Sequence, residues 1–500
     1  MNSLHLPATW RCISRTASLA ICVTGALAVV GCSVGPKYQR PAVEVPPAYK
    51  EAGDWKTAQP NELNLGGAWW QIFADPQLNA LEDQINVSNQ NLKAAVAQYT
   101  QARAALRYYR ADYYPSINGG AAATRNRISN NRPPAVTTNG STYSDFQIPV
   151  ELSYEVDVWG RVRKTVESQR EQAQASAADL ATVNLNLHAQ LAMFYFQARS
   201  LDAQEKLLNS TVAQYEQAWQ LVESQFQGGL ASDVEVQQAS TQLETTRAEA
   251  IDVGVLRAQY EHAIATLMGK PASSFQLSAL PLTSPPPSIP LQLPSELLER
   301  RPDIAAAERR MAAANAQIGV AKAAYYPTIS LGATGGFESG AITTLLSGPS
   351  VLWSAGGSAV APIFDAGRRR ADLDQASAAY DETVANYRET VLNSFQQVED
   401  NLAALRILEK EADTQERAVV AAEKSLALSL TRYRGGITSY LEVTVAQSAA
   451  LSDEVTAVDI LGRRMTNAVL LIQALGGGWD RSSLPERPEC CGRLTSAVVR

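Results

Sequence analysis

The sequence predicts an α+β membrane protein built by duplication, each unit joining long coiled-coil helices to a β-hairpin. Three observations lead there. QFQGGLASDVEV at 225–236 recurs as RYRGGITSYLEV at 432–443, with Gly228 and Gly229 matching Gly435 and Gly436 at a shift of 207 residues (435 − 228). Between residues 173 and 226 a strict 4,3 spacing puts apolar residues at 14 of 16 positions, and the same positions shifted by 207 are apolar at 12 of 16. A 3.5-residue period sustained that long is a coiled-coil seam rather than the stripe of an ordinary globular helix. Finally, ADYYPSI, ending at Ile117, recurs as AAYYPTI, ending at Ile329, and period-two stretches follow both. A shared seam and a shared break mark a repeated structural unit.

The first element, residues 1–31, has the form of a secretory signal. Arg11 and Arg15 precede an apolar run at 17–30 that ends at Gly31 and Cys32. The run is too short and one-sided for a membrane span. VVGCS resembles a bacterial lipobox, which makes Cys32 the expected lipid attachment residue; the alternative is an ordinary signal with an incidental cysteine. Beyond Cys32, cleavage leaves Cys490 and Cys491, neighbours that cannot readily meet disulfide geometry with each other. The fold must therefore hold by packing, and a chain 46% hydrophobic and 19% charged can supply the buried surface. A net charge of −7 argues against a nucleic-acid partner, which would need a basic face.

After an N-terminal segment at 32–75, the first repeat spans 76–279, with a β-hairpin at about 113–159 and a long helical hairpin at 160–268. In the hairpin Phe146, Ile148, Val150, Leu152 and Tyr154 alternate with Gln147, Pro149, Glu151 and Ser153, a strand with one apolar and one polar face. The partner stretch, 116–125, alternates weakly. The alternation fits outer-membrane strands, and it also fits a soluble hairpin packed on helices. A proline-rich connector, 280–294, separates the repeats. The second spans 295–475, with a β-hairpin at about 325–366 and a long helical hairpin at 367–475; a tail, 476–500, follows.

Each seam belongs to a helix of about 65 residues, roughly 100 Å long. Its return stretch is half that length, so 76–112 and 302–324, which precede the long helices, are the candidates to cover the far half by stacking end to end with the returning ones. Polar seam residues such as Asn184 and Glu205 are expected to fix register or to face water. Four strands cannot close a barrel; three copies would give twelve. His188 and His262 stand isolated in helical runs, and no nucleophile elbow, phosphate loop or zinc-binding helix motif is present, so no enzyme and no cofactor are expected.

CSVGPKYQRP at 32–41, WWQIF at 69–73, LPSELLERRPDIAAAE at 293–308, the two YYP junctions, RYRGGITSYLEV and ALGGGW at 474–479 together resemble the TolC-like outer-membrane factors, specifically the NodT-type lipoproteins of RND efflux pumps. The resemblance runs from Cys32 to Trp479. It implies a homotrimer with a twelve-stranded outer-membrane β-barrel on a periplasmic α-helical tunnel, serving as the exit channel for small amphiphilic compounds. Metal ions or a secreted polypeptide are alternative cargoes, and a periplasmic adaptor lipoprotein is an alternative role. The implied partners are a periplasmic adaptor, an inner-membrane RND-type transporter and outer-membrane lipid.

On that reading the double glycines reverse the long helices at the periplasmic tips, with Ser232 and Ser439 capping the returning helices. Gly228, Gly229, Leu230, Ser232, Gly435, Gly436, Ile437 and Ser439 are then the adaptor contacts, unless they only make a turn. Where relatives often carry Asp-Ala-Gln, this chain has Val445, Ala446 and Gln447, with Gln238 at the matching place of the first repeat. Leu441 and Val445 share one helix face, and with Val234 and Gln238 they are the gate candidates; packing between helices is the other reading.

Overall fold

The computed structural model describes residues 33–52, 67–129, 142–289 and 294–485. The signal, Cys32, Cys490 and Cys491 lie outside the described residues. Among the described residues there are eight α-helices: α1 (Pro76–Ser88), α2 (Gln90–Arg110), α3 (Arg161–Gln227), α4 (Asp233–Leu267), α5 (Pro294–Arg300), α6 (Pro302–Ala323), α7 (Arg368–Arg434) and α8 (Tyr440–Ala474). Both α3 and α7 have 67 residues, and both α4 and α8 have 35. Among the described residues no helix is long and apolar enough to cross a membrane.

The chain divides into two compact units. One gathers the residues up to 41 with 100–173 and 308–385; the other gathers 42–99, 174–307 and those from 386 on. The first unit holds the sheet: β1 (Ser116–Gly119), β2 (Ala122–Arg127), β3 (Thr142–Val156), β4 (Thr328–Ser339) and β5 (Val351–Val360). All pairs are antiparallel, in the order β1–β3–β4–β5, and β2 also pairs β3. β1 and β2 are one strand in one register, split opposite Pro149. Pro149 accepts a hydrogen bond from Gly120 N (2.9 Å) but has no N–H to return, so the expected continuous 116–125 partner is interrupted there. On the other side of Pro149 lies Gly336, where a Cβ would stand 2.2 Å from the Ile148 carbonyl oxygen.

Residues 33–41 are built into this first unit. Val34 N donates to Trp159 O (3.0 Å), Tyr38 Oη donates to Glu308 (3.2 Å), and a Cβ on Gly35 would come within 2.7 Å of Gly319 Cα. Arg309, buried, joins Glu171 and Glu308, each at 2.7 Å.

The covering stretch 76–112 is divided into α1 and α2 at Asn89, in the second unit. Asn89 has extended ψ (128°), and its Oδ1 accepts from Leu92 N (2.9 Å) while its Nδ2 donates to Leu267 O (2.8 Å). One side chain thereby caps α2 and ties it to the end of α4, which compensates the lost helical hydrogen bonds. The connector is fastened by Asp202, which accepts from Leu280 N (2.8 Å), Arg199 (2.8 Å) and Arg257 (3.1 Å). The seams pack as their spacing predicts: none of the 16 seam positions in α7 is exposed, and in α3 only Phe226 is. Asn184 in the seam reaches Asn86 at 3.3 Å, a register contact rather than a ligand site.

Candidate functional site

The sheet presents two unlike faces. Across one run Ile117–Leu152–Ala333–Ala355, Val150–Gly335–Trp353 and Ile148–Phe337–Val351; across the other run Glu151–Thr334–Ser354 and Glu155–Ser330–Ser358. The apolar face is bare, with Val150 50% and Trp353 80% exposed. One lipid-compatible face, one polar face and two unpaired edges are the makings of a barrel wall.

The helical tips lie in the second unit. Leu230 N donates to Gln225 O (2.8 Å) and Gly229 N to Phe226 O (2.9 Å), the paired bonds of a Schellman turn. Ile437 N to Arg432 O and Gly436 N to Tyr433 O, both 2.9 Å, repeat it. Gly229 and Gly436 have φ of +72° and +69°, which is why glycine stands at both places. Gly228 and Gly435 precede them in ordinary backbone. Leu230 and Ile437 are 84% and 71% exposed just beyond each turn. Ser232 caps α4 in a full capping box with Glu235. Ser439 holds the equivalent position, but its side chain makes no cap hydrogen bond, a correction to the expected symmetry. The reciprocal half of a capping box is missing too, because the Glu442 carboxylate, counterpart of Glu235, accepts from Arg432 (2.9 Å) and Thr438. Behind the turns the tips share one apolar cluster, Val222, Val236, Ala239, Tyr440 and Val443, and Tyr433 Oη donates to Gln225 (2.8 Å).

Leu441 and Val445 project outward from α8, 53% and 62% exposed, and are not part of this cluster. Val234, 64% exposed, and half-buried Gln238 stand at the matching places on α4 and line a shallow groove of about 400 Å³ together with Thr444.

His188 is not isolated. Its Nδ1 lies 2.6 Å from Glu82 Oε2, its ring stacks on Trp70 with centroids 4.3 Å apart, and both polar groups are buried. Burial raises the Glu82 carboxyl to about 9 and lowers the His188 imidazole to about 4, so at neutral pH the pair is uncharged. The Glu82 hydroxyl then donates to Nδ1, and Nε2–H faces Asn86 Oδ1 at 3.3 Å. No spacing announces this arrangement; an apolar helix face carrying one histidine is the only sequence trace of it. Among the described residues no group of three or more His, Cys, Asp or Glu side chains could hold a metal ion.

The described architecture therefore joins a sheet with one exposed apolar face to long paired helices. Residues 81–270 and 293–477 match the family described as outer membrane efflux protein. The chain belongs to that family. Among its curated relatives, the cation efflux system protein CusC of Escherichia coli K12 is 31% identical over 463 residues, 92% of this chain and 99% of that protein. Outer membrane protein OprJ of Pseudomonas aeruginosa is 33% identical, covering 91% and 95%. The outer-membrane channel OprN superposes with a TM-score of 0.84 at 29% identity, covering 90% of this chain and all of that one. The CmeC outer membrane channel of Campylobacter jejuni does so at 0.82 and 26%, covering 90% and 96%. This efflux protein is a transport protein of the outer membrane with a periplasmic helical body, and not an enzyme.

Proposed function

We propose that three copies of the chain form a twelve-stranded barrel on a helical tunnel, the outer-membrane exit duct of a tripartite efflux pump that passes small amphiphilic compounds. The observation that carries this reading is the sheet: four strands with bare faces and two open edges, which cannot stand alone in lipid. A head-to-tail ring joins the β5 edge of each copy to the β1 edge of the next. Cys32 would carry the lipid anchor. The paired tips would meet a periplasmic adaptor, which links the duct to an RND-type transporter of the inner membrane; one relative is named for toluene efflux and another for cation efflux. A soft-metal cargo finds no support in the thioethers, since Met268, Met311 and Met465 are buried and half-buried Met193 stands apart from them in sequence. Leu441 and Val445 form the apolar constriction that keeps the resting duct shut.

Purified protein in planar bilayers, together with drug susceptibility of a deletion strain, tests this. The expected results are discrete conductance steps and sensitisation to amphiphilic drugs that the intact gene reverses. A protein that inserts without conducting, in a strain whose susceptibility is unchanged, would refute the reading.

A further inference from the structure

The base of the sheet carries uncommitted cations at both edges. At the β1 edge α2 ends in Arg107 and Arg110, beside Tyr108 and Tyr114, which are 72% and 73% exposed. At the β5 edge the chain leaves through Ile363 and Phe364, 97% and 87% exposed, into Arg368 and Arg370 in the first turn of α7. Arginines elsewhere at this level are neutralised: Arg161 by Glu155 (2.5 Å), Arg163 by Asp157 (3.1 Å) and Arg369 by Asp365 (2.6 Å). Arg370 makes only a long, solvent-exposed pair with Asp374 (4.0 Å), and Arg107, Arg110 and Arg368 make no ion pair among the described residues.

β1 and β5 are opposite edges of one sheet, so ring closure brings the arginines of one edge beside those of the next copy. Four guanidinium groups at a joint outnumber the exposed carboxylates beside them in sequence, Asp112, Asp372 and Asp374, and the net positive charge favours an anion among them. Resting on the trimeric reading, we infer that each joint is a binding site for the headgroup of an anionic phospholipid of the periplasmic leaflet. Arg107 and Arg110 of one copy and Arg368 and Arg370 of the next hold the phosphate, since the guanidinium fork matches its oxygens. The exposed tyrosines sit at headgroup depth, and Ile363 and Phe364 extend the apolar sheet face toward the acyl chains. The lipid thus fastens the joint as well as surrounding it.

The full chain, purified in a non-ionic detergent, is titrated with phosphatidylglycerol, phosphatidylethanolamine or inorganic phosphate and followed by native mass spectrometry. The trimer should take up phosphatidylglycerol, one per joint, at least about tenfold more readily than phosphatidylethanolamine. Inorganic phosphate should neither add nor displace it. Replacing all four arginines by glutamine should remove the preference, replacing them by lysine should keep most of it, and Arg125→Gln with Arg127→Gln on β2 should leave it intact. Equal uptake of the two lipids, displacement by free phosphate, or a preference surviving the glutamine variant would overturn the inference while leaving the trimer standing. So would a glutamine variant that trimerises poorly yet keeps the preference, which would assign the arginines to the protein–protein joint. A chain that stays monomeric would overturn the trimeric reading and the site together.

Discussion

In the first repeat α3 carries His188, buried against Glu82 and Trp70; 207 residues on, α7 carries Phe395 at the matching place. The same contrast holds where each long helix begins. Gly160 (φ +83°) is covered by the N-terminal segment, so that a Cβ there would lie 2.8 Å from Ser33 Oγ, whereas Gly367 (φ +88°) has nothing within 4 Å. It holds again at the tips, where Ser232 has a capping box and Ser439 has none. The duplicated features are those that backbone geometry enforces, namely positive-φ glycines and the seam period. What differs is what the rest of the chain lays against each repeat. Ser33 covers the start of the first long helix and a buried polar pair braces it, whereas the second keeps open surface at its helix start and meets the N-terminal segment further along, where Lys50 N and Glu51 N donate to Glu399.

The largest expected effect separates the two neighbours of Pro149. Gly336→Val drives a side chain into the Ile148 carbonyl and should cost more than about 4 kcal/mol, abolishing assembly. Gly120→Ala meets only Pro149 Cγ at 3.7 Å and should stay within about 0.5 kcal/mol. Yield of assembled protein in the membrane fraction reads both.

The gate offers a second contrast. In the proposed constriction, mutual burial of Leu441 across the pore would contribute at most about 1.5 to 3 kcal/mol per leucine. Leu441→Ser with Val445→Ser should raise single-channel conductance, and Val445→Asp should make it sensitive to divalent cations; Val234→Ser in the first repeat should do less. Unaltered conductance in the α8 variants would move the seal elsewhere. At the tips, a bulky residue at Gly229 or Gly436 adds strain of roughly 1 to 3 kcal/mol, with its Cβ in open space, so the trimer should survive. Efflux should fail in both variants. If only one fails, the adaptor reads only that tip, as adaptor crosslinking in cells would show.

The buried pair makes the first repeat pH-dependent in a way the second is not. Glu82 is raised from 4.5 to about 9, so its contribution is full below 4.5 and is lost as pH rises through 9. The slope is at most about 1.4 kcal/mol per pH unit. His188, lowered from 6.5 to about 4, contributes above 6.5 and loses that as pH falls toward 4. Glu82→Gln, which can still donate to Nδ1, should flatten the alkaline loss in a denaturation series from pH 6 to 9. The smallest contrast is at the caps: Ser232→Ala should cost about 1 kcal/mol and Ser439→Ala only a few tenths.

The long helices, their tips and the two-faced strand were legible because each follows from a period or from a residue with one permitted backbone. The seam reads as 4,3 spacing, the turn as Gly229 and Gly436, the strand as alternation from Phe146 to Tyr154. Other features arise from contacts across long separations, which leave no local pattern. Asn89 divides the stretch 76–112 because Leu267, 178 residues later, offers a carbonyl. Glu82 meets His188 across 106 residues, and the reciprocal half of the capping box at Ser439 is missing because Glu442 accepts from Arg432. For the proposed tip contacts and gate candidates, sequence position and structure agree on exposure alone: Leu441 and Val445 are outward-facing.

The central claim is that a sheet with two open edges is completed by neighbouring copies, and the native mass of the full chain in detergent tests it most directly. The account predicts a single species of three chains, lost when Val150→Arg places a charge on the lipid-facing side at a cost of roughly 2 to 4 kcal/mol. A stable, folded monomer of the unaltered chain would contradict it.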